Sequence, residues 1–518
     1  MTKFINFLFF YIPLLFVDSS KGEVYYDWTV SLSQQKPLGV EKKVIVINDQ
    51  FPGPLLKATT NDVVNINIHN NISEPFLMTW NGLHMRKNSW QDGVQETNCP
   101  IQPAQNWTYS FQLKDQIGSY FYFPSLFFQK AAGGYGPIRV QNRDVIPLPF
   151  SQPDHEFDLL IGDWYNSDYQ RLRATLDEGR MLPLPDGILI NGLGPNQTSF
   201  DFEPGATYRL RISNVGLKTT INLRIQDHPM LLIETEGTHT LKQYYDSLDI
   251  HVGQSYSVLV TALNHFNAAS FFMVAAARFI PHELVGIAFI RYSGFEGHPL
   301  DPMLPPLQPP PFDYEYSFYQ ALSIRMLFLK NDESFINREH RYTVNGVSFV
   351  HPDTPLKLAH YFNISGVFES RLFPDTPLLT PPRLGVSVIE TKYRDYVHIV
   401  FQNTRLSPQT WHADGYNFFV VGMGSGVWDE GKTSTYNMVD AIYRSTVQVY
   451  PLCWTAILIK LDNMGMWNLR SQDAEKWYKG QELYIKVNGE EDPFKISLRD
   501  ENPIPQNLIK CGRAISFF

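Results

Sequence analysis

Polar and apolar residues alternate along three well-separated stretches of this chain, and each stretch ends in asparagine. They are Val64-Asn-Ile-Asn-Ile-His-Asn70, Tyr208-Arg-Leu-Arg-Ile-Ser-Asn214 and Tyr396-Val-His-Ile-Val-Phe-Gln-Asn403. Alternation with a period of two puts successive side chains on opposite faces of an extended backbone, so each stretch predicts a half-buried strand. A second strand-like run follows each one, at Gln105-Asn-Trp-Thr-Tyr-Ser-Phe, Gln254-Ser-Tyr-Ser-Val-Leu-Val and Cys453-Trp-Thr-Ala-Ile-Leu-Ile. The chain then turns and returns as an aromatic strand: Ser119-Tyr-Phe-Tyr-Phe, Ser270-Phe-Phe-Met-Val and Gly465-Met-Trp-Asn-Leu. A pattern met three times predicts an all-β chain built from three copies of one β-sandwich with Greek-key connections. The copies are expected at residues 21–143, 150–296 and 312–511. A stiff proline-rich linker at 297–311, containing Pro302-Met-Leu-Pro-Pro-Leu-Gln-Pro-Pro-Pro311, precedes the last. Helical periodicity is weak outside short connections such as Asp168–Asp177.

Length and composition agree with this division. At 518 residues the chain is too long for one core, and domains of roughly 150 residues make three a natural count. Aromatics at 14% and charged residues at 18% argue against disorder, and 36 prolines with 33 glycines suit many short strands joined by turns. The net charge of −9, with no basic stripe to meet phosphates, excludes a nucleic-acid partner.

Lys3, the apolar run Phe4–Val17 and the small residues Ser19 and Ser20 read as a secretory signal peptide over residues 1–20. No later segment is long and apolar enough to span a membrane, and Cys511–Phe518 lacks the hydrophobic tail of a lipid-anchor signal. The chain is therefore expected to be freely secreted. Four Asn-X-Ser/Thr triplets, at Asn71, Asn106, Asn196 and Asn363, are candidate glycan sites in that setting. Of three cysteines, two should pair in an oxidising compartment. A Cys99–Cys511 bridge would tie the last sandwich to the first and leave Cys453 as a buried thiol.

Longer runs carry a specific resemblance. They are Thr-Trp-Asn-Gly (79–82), Arg-Lys-Asn-Ser-Trp-Gln-Asp-Gly (86–93), Gly-Ser-Tyr-Phe-Tyr-Phe-Pro-Ser (118–125), Glu-Gly-Thr-His-Thr (236–240), Asp-Thr-Pro-Leu-Lys-Leu-Ala (353–359) and Asp-Asn-Met-Gly-Met-Trp-Asn-Leu-Arg (462–470). With these runs the chain resembles, from about residue 24 to residue 512, the plant multicopper-oxidase-like proteins of the skewed-growth, monocopper-oxidase-like subfamily and the pollen-specific ascorbate-oxidase homologues. The resemblance implies cupredoxin-like sandwiches, an apoplastic location and a role in directional or pollen-tube growth.

It also implies four histidine-rich copper motifs, and these are where the chain departs. Copper in this family needs paired imidazoles on neighbouring strands and one thiolate that admits electrons. Thr79 and Asn81 stand in the His-Trp-His-Gly motif, and Phe123 and Ser125 in His-X-His. In Gln-Thr-Trp-His-Ala-Asp-Gly-Tyr (409–416), Gln409 and Asp414 replace ligands and only His412 remains. Arg470, Ser471 and Gln472 answer His-Cys-His, with Lys476 at a later histidine position and Gln481 at the weak axial one. None of the 14 histidines forms a His-X-His pair. No cofactor is therefore expected, and copper enters only if a residual oxidoreductase survives around His412.

Plain structural roles compete with each chemical one. His412 reads as a satisfied interface histidine, and Asp92 as a turn former in Asp-Gly, though it could be an acid beside the old cluster. His69 and His84 read as surface or strand-face residues. Gln409, Asp414, Arg470 and Lys476 read as a buried ion-pair network in vacated space. A carbohydrate-binding surface around Phe123 and Tyr416 is a further alternative, and cell-wall components or apoplastic proteins are the expected partners. The segment 326–341 is shorter than the resemblance leads one to expect, which predicts a missing or altered strand at that edge.

Overall fold

The computed structural model describes residues 22–143, 148–264, 270–293, 326–369, 373–374, 377, 380–393, 395–437, 440–489 and 501–517. The expected signal peptide and the linker at 297–311 lie outside them.

All three asparagine-ended stretches are strands, Val63–Asn70, Thr207–Asn214 and Tyr396–Asn403. Each lies between the same two kinds of neighbour. On one side runs a parallel strand from earlier in the chain: Glu23–Gln35, His155–Trp164 or Met326–Ile336. On the other runs the antiparallel second strand: Asn106–Gln112, Ser255–Thr261 or Cys453–Lys460. The aromatic return strands, Gly118–Pro124, Ser270–Ala277 and Gly465–Ser471, belong to the opposing sheets. There each is paired with one earlier strand (Met78–Asn81, Ile221–Ile225 or Gln409–Ala413) and one later strand. The repeat in sequence is thus a repeat of pairing. It yields sheets of four and four strands, then six and five, then eight and five.

The closing asparagines explain themselves in the structure. Asn70 donates through Nδ2 to the carbonyls of Glu74 (2.9 Å) and Ile101 (2.8 Å), while its Oδ1 accepts the Ile72 N–H at 3.1 Å. Asn214 donates to Thr219 (3.0 Å) and Ile250 (2.8 Å) and accepts from Gly216 at 3.1 Å. Asn403 donates to Ser407 (2.8 Å), Val449 (3.2 Å) and Tyr450 (3.0 Å) and accepts from Arg405 at 2.9 Å. Each amide pins the loop that leaves the strand to a distant backbone segment, a task that needs both an acceptor and two donors on a short stem.

One buried apolar cluster runs from Trp28 and Trp80 to Trp411 and Trp467, joining the first and last sheet pairs, while the middle pair has a core of its own. The chain's end is laid back on its beginning. Cys99 is disulfide-bonded to Cys511 across 412 residues, and the Trp107 indole donates to the Asn507 carbonyl at 2.7 Å. Cys453 is a buried free thiol.

The short segment at 326–341, where a missing or altered strand is expected, forms a hairpin. Met326–Ile336 pairs with Glu339–Val344 through Asn337 (φ 53°) and Arg338 (φ 70°). Two left-handed residues in a two-residue loop make the tight turn whose twist matches the flanking strands. The strand fills the same place beside Tyr396–Asn403 that Glu23–Gln35 fills beside Val63–Asn70.

Candidate functional site

The replaced motif positions fall on equivalent strands of the first and last sheet pairs. Thr79 and Asn81 lie on Met78–Asn81, with Thr79 opposite Phe123; His412 lies opposite Arg470 and Trp411 opposite Ser471. Residues directly opposite in an antiparallel pair share a face. The pairing therefore aims His412 and Arg470 to one side, where the 92–93 turn of the first sheet pair meets them.

At the centre is an ion pair sealed from solvent. Arg470 Nη1 donates to Asp414 Oδ2 and, at 3.0 Å, to Asn468 Oδ1, and the two charged side chains are 0% and 3% exposed. The guanidinium lies over the Trp477 ring, 4.5 Å from its centroid. His412 Nδ1 is 2.8 Å from Thr446 Oγ1, and its Nε2 lies 3.1 Å from Asp414 Oδ1 without hydrogen-bond alignment. Burial pushes the imidazole below its ordinary range, against the pull of Asp414, so it sits there neutral. Burial alone would lift Asp414, but Arg470 overrides it and holds the carboxylate below the usual range. Asp92 goes the other way: burial, then the Asp414 charge and its hydrogen bond, raise it well above the usual range. Asp92 and Asp414 are thus shifted in opposite directions, Asp92 up and Asp414 down.

A second contact joins three parts of the chain. Gln472 Nε2 donates to Asn81 Oδ1 at 2.7 Å, and Asn81 Nδ2 donates to the Gly253 carbonyl at 3.0 Å. Gly253 (φ 86°) is packed so closely here that a Cβ would lie 2.6 Å from Gln472, so only glycine fits. Thr79 Oγ1 donates to the Asp92 carbonyl at 3.0 Å and Ser125 Oγ to the Gly93 carbonyl at 2.6 Å. Phe123 stacks on Phe121 and meets Trp477 edge-on at 6.5 Å.

The remaining positions stand apart from Asp414 and Arg470. Gln409 donates to Asn403 Oδ1 at 3.0 Å and accepts from the Trp411 indole at 3.3 Å. Lys476 pairs with Asp473 at 3.2 Å and reaches the Pro408 carbonyl at 3.4 Å. Ser471 Oγ and Gln481 Oε1 are buried with no partner among the described residues. The single network expected for Gln409, Asp414, Arg470 and Lys476 is thus three separate groups.

Asp92, read as a turn former or as an acid beside the old cluster, lies in the 92–93 turn and is buried against Asp414. Other expectations are corrected as well. His84 is no surface residue. It is 7% exposed, its Nε2 is 3.0 Å from Asn417 Oδ1, and burial pushes it down to about 4. His69, by contrast, is on a strand face, 42% exposed and 2.9 Å from Asp27. Tyr416 forms no binding surface: it is buried, edge-on to Trp467, with its hydroxyl donating to the Asn463 carbonyl.

These donors do not fit copper. The one imidazole is bonded to Thr446 and lies beside Asp414, a guanidinium is the cross-strand neighbour of that imidazole, and hydroxyl and amide groups stand where further imidazoles and a thiolate would be required. Among the described residues no three His, Cys, Asp or Glu side chains are grouped so as to hold a metal ion.

Comparison with known proteins places this geometry. Family profiles described as multicopper oxidase match residues 29–145, 156–295 and 353–493. Monocopper oxidase-like protein SKS1 of Arabidopsis thaliana is 44% identical over 94% of this chain and 89% of its own length. The L-ascorbate oxidase homolog of Brassica napus is 43% identical over 94% and 92%. L-ascorbate oxidase of Cucurbita maxima is 29% identical over 98% and 96%. Among solved structures, Fet3p, a multicopper oxidase that functions in iron import, superposes with a TM-score of 0.80 at 21% identity, covering 94% of this chain and 93% of that one, a likeness of fold. The chain belongs to the multicopper oxidase family, in the company of its plant monocopper oxidase-like proteins and ascorbate oxidase homologues.

Proposed function

We propose that this chain is a secreted glycoprotein of the plant cell surface or wall that keeps the multicopper oxidase architecture without its oxidase chemistry, and that it serves directional or pollen-tube growth by binding rather than turnover. The observation that carries this reading is the Asp414–Arg470 pair: a buried guanidinium neutralises the one carboxylate beside His412 and puts positive charge where a copper ion would have to sit. The asparagines of all four candidate glycan triplets are solvent-exposed, as a glycosylated chain requires. The Cys99–Cys511 disulfide suits an oxidising compartment.

Metal analysis of the purified chain tests the proposal. The expected result is less than about a tenth of a copper per chain after equilibration with excess Cu(II) and desalting, with no oxygen uptake on ascorbate or phenols. Stoichiometric copper together with oxygen uptake would instead establish the competing reading, a residual oxidoreductase centred on His412.

A further inference from the structure

A cavity of about 300 Å³ opens beside the buried ion pair, between the first and last sheet pairs. Phe123, Phe127, Phe128, Phe349 and Trp477 give it aromatic walls. Trp477 is held rigidly, with Arg470 over its ring at 4.5 Å and its indole N–H donating to Glu482 Oε2 at 2.9 Å. Phe127 (φ 51°) and Phe128 (φ 62°) are consecutive residues in the left-handed region, a strained backbone of the kind that collects at ligand sites.

Into this cavity projects Lys130, only 6% exposed. Its ammonium lies 4.3 Å from the Phe123 ring centroid, and no carboxylate or hydrogen-bond acceptor among the described residues reaches it. The neighbouring carboxylates bind other groups. Asp177 accepts from the Tyr478 hydroxyl at 2.7 Å, and Glu482 accepts through Oε2 from Trp477 and, at 2.7 Å, from Asn468, while its Oε1 lies 3.8 Å from His351 Nε2 without a hydrogen bond. His351 is 2.8 Å from Glu96, and Arg341 donates to the Phe349 carbonyl at 2.8 Å. Burial drives Lys130 down to about 7, with Asp163 and Asp473 opposing the fall and Arg470 adding to it. A buried cation without an anion is costly, and an anionic ligand would relieve the cost.

We propose that this cavity binds a small aryl carboxylate, with its carboxylate on the Lys130 ammonium and its ring against Phe123 and Trp477. An acidic sugar fits less well. Its several hydroxyls need several uncommitted polar partners, whereas aromatic rings line the cavity around Lys130 and the Gln472 amide is already donated to Asn81. The site uses Phe123, Ser125 and Gln472, so it rests on the reading that this end of the molecule holds no copper.

The test is calorimetric titration of the intact purified protein with trans-cinnamate, with copper measured on the same sample. One-to-one binding is expected, with cinnamamide at least tenfold weaker and Lys130→Met weakening cinnamate at least tenfold while Lys130→Arg retains it. If Lys130→Met fails to fold, the acid–amide comparison on the unaltered protein decides alone. No binding of cinnamate to copper-free protein, equal binding of acid and amide, or tighter binding of galacturonate than of cinnamate would each overturn the proposal. Copper in the sample would overturn the functional reading instead, whatever the titration shows.

Discussion

The three asparagine clamps and the Asp414–Arg470 cluster are both buried and polar, but they are finished to different degrees. In each clamp the amide uses its acceptor and both donors on backbone groups, so no polar atom of the side chain is stranded. Around Arg470 the strongest pair is made, yet Arg470 Nε and Nη2, Ser471 Oγ and Gln481 Oε1 have no partner among the described residues. Buried polar groups in a fold are normally satisfied. A clamp therefore reads as a device of the sandwich itself, and the cluster as side chains filling a space laid out for something else.

The largest predicted effect probes the cluster. Arg470→Met leaves the Asp414 carboxylate buried without its partner and is expected to cost about 3–5 kcal/mol in chemical unfolding. Arg470→Met combined with Asp414→Leu removes both charges and is expected to recover most of that loss, because a buried pair seldom outperforms well-packed apolar residues. If the double variant stays as unstable as the single one, the pair is a built stabilising element and the contrast with the clamps fails.

Next in size is a clamp. Asn403→Ala strands the carbonyls of Val449 and Tyr450 and the Arg405 N–H, an expected loss of about 2–4 kcal/mol. Here no second substitution should restore stability, since all the orphaned partners except the Gln409 amide are backbone atoms. Thermal unfolding of Asn403→Ala against Asn403→Asp separates the two halves of the device: aspartate keeps the acceptor for Arg405 and loses the donors.

The clamps and the strands around them were legible because they repeat. Three copies of one alternation, each ending in asparagine, announced the sandwich plan, and the structure pairs those strands alike each time. The cluster was legible only in part. Spacing against the family motifs located His412, Asp414 and Arg470, but Asp92 lies in the first repeat and Asp414 in the last, and their meeting is a product of tertiary packing. His84 and Tyr416 were misread for the same reason: a polar residue in a loop carries no local sign that another sheet pair will cover it. Lys130 carried no motif at all, and its meaning appears only once Phe123 and Trp477 surround it.

Asp92 offers a smaller test, through pH. Its folded-state affinity for a proton is raised above the ordinary value of 3.8, so the folded chain holds that proton more tightly than the unfolded chain does. The contribution is fully present below 3.8 and is lost as pH climbs toward the raised folded value. Asp92→Asn keeps a donor toward Asp414 without the titration. It should flatten the fall in stability above pH 4 and gain about 1 kcal/mol at neutral pH, as measured by urea unfolding across a pH series. A variant with an unchanged slope would mean that the Asp92–Asp414 proton does not exist.

The smallest effect belongs to the one repeat whose opening hairpin is cut to a two-residue turn. Asn337 and Arg338 both adopt left-handed backbone, at φ 53° and 70°. Asparagine tolerates that region, whereas arginine is strained in it. Asn-Gly is the favoured pair for this turn, so Arg338→Gly should relieve the strain and raise stability by about 0.5–1 kcal/mol. Glycine at Gly253, already demanded by the approach of Gln472, shows the opposite case: Gly253→Ala should destabilise, because there the neighbour leaves no room for a Cβ. A loss of stability in Arg338→Gly would mean that the Arg338 side chain, and not the turn geometry, holds this hairpin of the eight-stranded sheet together. The shortened segment would then be a weak point of the third repeat rather than a complete copy of the first.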